Sequence, residues 1–181
     1  MEKSFVAALM LSGFLLLAVP GIAMSDNLAP NGGFEKKASD SRPEGWKVMI
    51  PRGTKAHAGF SEEEKHSGNY AFKIVIPPPG GRVMLYPEKR ILDGIKPGNT
   101  YELSFWINTI DINYNQSFLP PTVRFDFRPE RLIPAPTVDL MSELEGASGW
   151  QRVALKHTAP KGSDKCTFDF ILTNGTFFID D

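Results

Sequence analysis

The sequence predicts an all-β fold, an antiparallel sandwich or barrel, and three observations carry that expectation. Apolar residues recur with a period of two rather than the helical period of about 3.6. Glycine (16 residues) and proline (15 residues) are abundant without low-complexity runs, a composition that suits a turn-rich β protein. At least seven short alternating segments follow one another closely, with turn residues between them.

Each segment reads as a strand for a local reason. In 71–76, Phe72, Ile74 and Ile76 fall on one face, and the run stops at Pro77-Pro78-Pro79-Gly80-Gly81, which no strand interior tolerates. Residues 82–86 form a second short strand, ended by Pro87. Ile95-Lys96-Pro97-Gly98-Asn99-Thr100 is a turn, with proline and glycine in the order a type II turn prefers. In 101–107, Tyr101, Leu103, Phe105 and Ile107 alternate with Glu102, Ser104 and Trp106, and Asn108 follows in the same register. Residues 122–128 set Val123, Phe125 and Phe127 against Arg124, Asp126 and Arg128. A strand over 150–158 places Val153, Leu155 and His157 on its apolar face. Strands at 166–172 and 176–180, joined by the turn Asn174-Gly175, complete the set. Helical signal is thin: 137–144 has room for two turns, but prolines at 129, 134 and 136 crowd it. Residues 128–149 therefore read as a long excursion between strands, a feature that is usually functional or mobile.

Composition limits the function. Lys plus Arg (20) nearly balances Asp plus Glu (21), for a formal net charge of −1, which argues against a general nucleic-acid binder. Hydrophobic content of 41% and charged content of 23% are those of an ordinary folded domain. One cysteine excludes a disulfide framework and a cysteine-rich zinc site. Residues 1–25 have the three parts of a secretory signal: Lys3 in a short n-region, an apolar stretch over 5–19, and small residues around Gly21-Ile22-Ala23 and Ala23-Met24-Ser25. The apolar stretch falls short of the roughly 20 residues that a bilayer span needs. The expected mature domain is therefore residues 26–181, secreted or periplasmic, with no membrane association once the signal is cleaved. Cys166 shares a face with Phe168, Phe170 and Leu172 and reads as a buried, inert thiol.

Six fragments recur in a telling order: Asn31-Gly32-Gly33-Phe34-Glu35, Gly45-Trp46, His66-Ser67-Gly68-Asn69-Tyr70-Ala71, Lys96 through Trp106, Gly149-Trp150-Gln151-Arg152-Val153, and Phe178-Ile179-Asp180-Asp181. Together they resemble the carbohydrate-binding modules first described in bacterial cellulases and xylanases, within the galactose-binding-like superfamily. The resemblance spans 27–181. It implies a jelly-roll sandwich of two antiparallel sheets, a glycan as partner, and a binding site in a cleft on one sheet's concave face or at the loop ends. It is far less specific for ligand than for fold. The family pattern usually continues past the paired aspartates with further apolar alternation, which this sequence does not show.

The resemblance also implies a structural calcium ion, at positions matching Glu35, the 65–68 loop with Ser67 and Gly68, and Asp180. Calcium takes six to eight oxygen ligands from carboxylates and carbonyls. The alternative is that Glu35 and Asp180 are solvated or paired with Lys or Arg.

Sugar binding pairs an aromatic platform with bidentate polar groups. Trp106 and Asn108 lie opposite the apolar face of their strand, and Arg124, Asp126 and Arg128 lie opposite that of theirs. If both strands join one sheet, they make a polar face with an indole on it. The competing readings are a solvated, self-paired outer face for the charged trio and burial of Trp106 under the 128–149 loop. Tyr114 and Phe118, in an asparagine-rich loop, are further platform candidates or loop anchors. Trp46 and Trp150 are expected to pack at strand ends. His57, His66 and His157 show no metal-ligand spacing.

Catalytic signatures are missing. No P-loop or dinucleotide glycine pattern occurs, and Gly146-Ala147-Ser148-Gly149 is one residue short of a nucleophile elbow. Glu102, Asp126 and Asp169 include candidates for a glycosidase carboxylate pair, but no spacing demands one. The expected function is a secreted, monomeric, non-catalytic glycan-binding module. A protein-interaction or spacer module of the same fold, and a small glycosidase or lyase, are the alternatives.

Overall fold

A period of two gives every strand one apolar row, and two sheets facing each other bury both rows at once. The computed structural model describes residues 27–38, 42–112, 120–129, 136–145 and 147–181. The expected signal over 1–25, Tyr114 and Phe118 lie outside these residues.

Sheet one contains β1 (Trp46–Met49), β4 (Arg82–Pro87), β10 (Lys165–Thr173), β7 (Thr122–Arg128) and β8 (Thr137–Asp139), in that order, with β5 (Leu92–Asp93) also pairing β10. Sheet two contains β2 (His57–Ser61), β3 (Ala71–Ile76), β11 (Gly175–Asp180), β6 (Thr100–Ile110) and β9 (Gln151–Thr158), in that order. Every pairing is antiparallel. The expected two-sheet antiparallel sandwich is thus the fold.

The inward rows match the sequence periodicity. Phe72, Ile74 and Ile76 of β3, Phe177 and Ile179 of β11, Phe105 and Ile107 of β6, and Val153 and Leu155 of β9 are buried from sheet two. Val83 and Leu85, Phe168, Phe170 and Leu172, and Val123, Phe125 and Phe127 meet them from sheet one. Phe105 and Phe170 join the layers edge to face, ring centroids 4.8 Å apart. Each such side chain contributes about 1.5–3 kcal/mol by leaving water. Cys166 belongs to this core, and burial pushes its thiol up to about 11, so it stays protonated and unreactive near neutral pH.

The turn over 96–99 forms as expected, with Asn99 N–H donating to the Lys96 carbonyl at 3.2 Å and Gly98 at φ +82°. The Asn174-Gly175 turn joins strands of opposite sheets instead of closing a hairpin within one sheet.

The 128–149 excursion holds more structure than expected. It carries β8 and a single helical turn, α1 (Leu140–Glu143), whose N-cap Asp139 accepts from Met141 N–H at 2.9 Å. Fully buried Leu140 pins that turn to the core, and its N–H reaches the Pro121 carbonyl at 2.9 Å. Strands β1, β2 and β5 are further additions. They are short, and β2 (HAGFS) lacks the apolar alternation that marks the others.

Candidate functional site

Strict alternation orients side chains, but it does not assign strands to sheets. Trp106 and Asn108 do point away from the core, as their parity requires, but from sheet two. Arg124, Asp126 and Arg128 point away from the core of sheet one. Strands β6 and β7 belong to different sheets, so they present their outward rows to opposite sides of the sandwich. The single platform expected from Trp106, Asn108, Arg124, Asp126 and Arg128 does not form.

On sheet two, Trp106 is partly covered. The imidazole of His66 lies on its indole, ring centroids 3.8 Å apart and planes within 14°. Trp150 meets the same imidazole edge-on at 5.8 Å, so it packs at the start of β9. Asn108 is half-buried beside Phe178 on β11. Glu102, farther along β6, is held by Arg152 and, at 3.3 Å, by Lys156. Hydrogen bonds from those two cations set its carboxyl below the usual range.

His66 is held there by the loop over 65–70, which is tied down by carboxylates. Asp180 Oδ2 accepts the N–H groups of His66 and Ser67, both at 2.9 Å, and its Oδ1 accepts that of Asp181 at 3.0 Å. Glu35 Oε1 accepts from the backbone of Asn69 and Tyr70 at 2.9 and 3.1 Å, and its Oε2 from the Asn69 amide at 2.9 Å. Asp181 takes the Ser67 hydroxyl at 2.9 Å and His66 Nδ1 at 3.1 Å. Gly68, at φ +54°, passes so close that an added Cβ would sit 2.2 Å from Glu35 Oε1.

Burial pushes the Asp180 carboxyl above its ordinary range, against the pull of these donors. Desolvation also acts on Glu35, but hydrogen bonds from Asn69 and Tyr70 and the charge of Lys65 outweigh it and set its carboxyl low.

All four residues matched to the calcium site, Glu35, Ser67, Gly68 and Asp180, therefore meet at one loop. The groups turned toward the two carboxylates are N–H donors, whereas a cation needs oxygens. With about four lone-pair directions per carboxylate, three are taken on each. Among the described residues, no three His, Cys, Asp or Glu side chains converge as a metal site. This donor set suits a protein-only strap better than a calcium cage.

Sheet one carries a second polar face, with arginines set over buried carboxylates. Arg124 grips Asp169 on β10 with both arms of its guanidinium, Nη2 to Oδ2 at 2.6 Å and Nε to Oδ1 at 3.2 Å. The register Phe170↔Leu85 brings Tyr86 of β4 alongside Asp169, on the same outward row. Arg90, just past β4, lies over the Tyr86 ring, 5.1 Å from its centre, and 4.0 Å from Asp169 Oδ2. One step along, Arg128 stands 3.4 Å from Asp126, whose Oδ1 accepts the Phe127 N–H at 2.9 Å. Arg124, Asp126 and Arg128 thus share a face, as their spacing predicts, but their aromatic companion is Tyr86. Tyr86 was not singled out in the sequence, although the alternation of Val83 and Leu85 against Met84 and Tyr86 is a signal that places it outward. Its register beside Asp169 was not legible.

A cavity of about 970 Å³ opens between residues 27–32 and residues 99–105, at the start of β6. It touches neither Trp106 nor Arg124. Glu102 lies on the opposite sheet from Asp126 and Asp169, and both of these are held by arginines, so those three do not face one another across a shared cleft.

No protein-family model and no curated protein sequence matches this chain. Solved structures do match in fold. A family 16 carbohydrate-binding module superposes with a TM-score of 0.51 at 17% identity, covering 86% of this chain and 96% of its own. A Stig cyclase from Fischerella sp. TAU, solved in complex with an indole compound, gives 0.55 at 14% identity, covering 84% and 92%. The enzymatically active domain of tailspike protein 4 of bacteriophage CBA120 gives 0.58 at 13% identity over 85% of this chain, which spans 20% of that one. At these identities the likeness is one of fold, and that fold serves both glycan-binding modules and enzymes.

Proposed function

We propose that this chain is a secreted, non-catalytic carbohydrate-binding module of the type associated with cellulases and xylanases, and that it takes a poly- or oligosaccharide on the outward face of sheet one. Tyr86 offers a ring for the CH-rich face of a sugar. Arg124 and Arg90 offer planar donors to its hydroxyl rim, and Asp169 holds Arg124 in place. One observation carries this reading: the two-armed grip of Asp169 on Arg124 beside Tyr86. It fixes the direction of a polar fork before any ligand arrives, which lowers the entropy that binding costs.

The carbohydrate-binding module among the structural relatives supports the reading, and the cyclase shows that the fold also hosts chemistry. The Asp126 and Asp169 carboxylates are each engaged by an arginine and buried, an arrangement that suits positioning rather than proton transfer. A glycan-array screen of the secreted protein, with Tyr86→Ala alongside, tests the reading. Binding that the substitution removes without lowering the melting temperature supports it. A Tyr86→Ala protein that binds its glycan unchanged moves the site elsewhere. Two proposals accompany it. Export with cleavage near Ser25 predicts a mature N-terminus at Asp26, and N-terminal sequencing that begins at Met1 would sink this. The Glu35 and Asp180 strap, we further propose, does the work that calcium does in the modules this chain resembles.

A further inference from the structure

We propose that the glycan taken by the outward face of sheet one is anionic, bearing carboxylate or sulfate groups. This rests on the assignment of that face above and adds the charge of its ligand. The geometry that carries it is vertical. The two carboxylates of the face lie beneath its guanidinium groups. The Asp169 side chain is 5% exposed, whereas the two arginines on it are 42% (Arg124) and 57% (Arg90) exposed. Asp126 is likewise 5% exposed under Arg128 at 27%. Lys165, opposite Arg128 across the β10–β7 pair, extends the same row. At the margins Glu88 pairs with Lys47 at 4.0 Å and Asp93 with Lys89, Asp93 also standing opposite Lys165, and exposed Asp164 borders Arg128.

The charges do not cancel where a ligand arrives. Asp169 Oδ2 is committed to Arg124 at 2.6 Å, so Arg90, at 4.0 Å from the same oxygen, keeps most of its donors for solvent. A guanidinium has five donors and no acceptor. A surface made of three such groups asks its ligand for acceptor oxygens in planar pairs, which carboxylates and sulfates supply. A neutral hydroxyl meets it with a single acceptor oxygen, which cannot span a planar fork, and with a donor that finds no partner among the arginines. Arg90 lies over one face of the Tyr86 ring, so a sugar is taken by the other face. That need for a CH face keeps the ligand a sugar rather than any polyanion.

The test uses the purified protein against polygalacturonate, alginate and a sulfated galactan, each paired with its carboxyl-reduced or desulfated form, with cellulose and xylan oligosaccharides and duplex DNA as comparators. The expected result is at least one charged glycan bound about tenfold more tightly than its neutral counterpart in low salt, since a charge-assisted hydrogen bond is roughly twice as strong as a neutral one. The preference should shrink as salt rises. Arg90→Gln should remove most of it at an unchanged melting temperature, and Tyr86→Ala should weaken charged and neutral forms alike. Neutral glycans bound as tightly as charged ones, with Tyr86→Ala still abolishing binding, would overturn the charge assignment and leave the glycan reading standing. Duplex DNA bound as well as the charged glycans would overturn it too, as would charged-glycan binding indifferent to both Arg90→Gln and Tyr86→Ala. Failure of every glycan, charged and neutral, would overturn the glycan reading together with this one.

Discussion

His66 lies flat on Trp106, with ring centroids 3.8 Å apart and planes 14° from parallel, and its Nδ1 reaches Asp181 at 3.1 Å. The indole's open face is thereby given to a side chain of the same protein, and the loop bearing that side chain is anchored by Asp180. Trp106 acts as the bearing surface of a strap.

Trp106→Ala should accordingly cost stability and leave glycan affinity alone. Aromatic pairing contributes about 0.5–1.5 kcal/mol beyond burial, and the partly covered indole adds to that. Phe105→Ala, one residue earlier and inward, should cost more, roughly 3–5 kcal/mol, as core aromatics do. Urea unfolding of both variants beside a binding isotherm checks this. A folded Trp106→Ala protein of undiminished stability that no longer binds glycan would return the platform to sheet two.

The strap should be sensitive to acid through Glu35. Its folded carboxyl lies below its ordinary value of 4.5, so folding favours the ionised form. The stability it contributes is therefore present above that value and is lost as pH falls through and below it. Asp180 works in the opposite sense: its folded carboxyl lies above 3.8, so stability falls as pH rises from there through the folded value. Glu35→Gln should lower the melting temperature at pH 7 and matter much less near pH 3, where Glu35 is protonated in the parent as well. Equal deficits at both pH values would show that Glu35 acts through shape rather than charge.

Calcium offers an independent check on the same loop. A strap closed by N–H donors should melt at the same temperature in chelator as in added calcium. A site occupied at a hundredfold excess over Kd would instead add about 2.7 kcal/mol. A calcium-dependent rise of that size, lost in Glu35→Gln, would show that the loop turns its carbonyls to a cation.

The sequence was read correctly wherever one strand sufficed. Period-two alternation told inward Phe105 from outward Trp106, and inward Phe125 from outward Arg124, because a pleat leaves no other choice. It was silent on which strands are neighbours. Asp169 and Arg124 are 45 residues apart in sequence, and only the β10–β7 register makes them partners. Trp106 and Arg124 are far closer in sequence and stand on opposite sides of the sandwich. The short strands β1 and β5 were missed because four-residue and two-residue segments carry too little pattern, and their pairing is decided by β4 and β10.

Asp169→Asn separates the two roles of the sheet-one face. The substitution keeps size and removes charge, so the two-armed grip on Arg124 is reduced to one accepting oxygen. Arg124 is 42% exposed and regains water when released, so the stability cost should be modest, on the order of 1 kcal/mol, well below that of breaking a fully buried pair. Glycan affinity should fall more than stability, because a fork free to swing must be ordered again by the ligand, at about 0.5–1.5 kcal/mol per side chain. Tyr86→Ala should act differently, costing about 1–3 kcal/mol of binding by analogy with other aromatic stacking platforms. The double variant reports whether ring and fork grip the same sugar. Losses that add simply mean two independent contacts. A double-variant loss well short of the sum means the fork works only on a ligand the ring has seated. An Asp169→Asn protein that unfolds, or one that binds as the parent does, would show that the Asp169–Arg124 pair serves the sandwich alone.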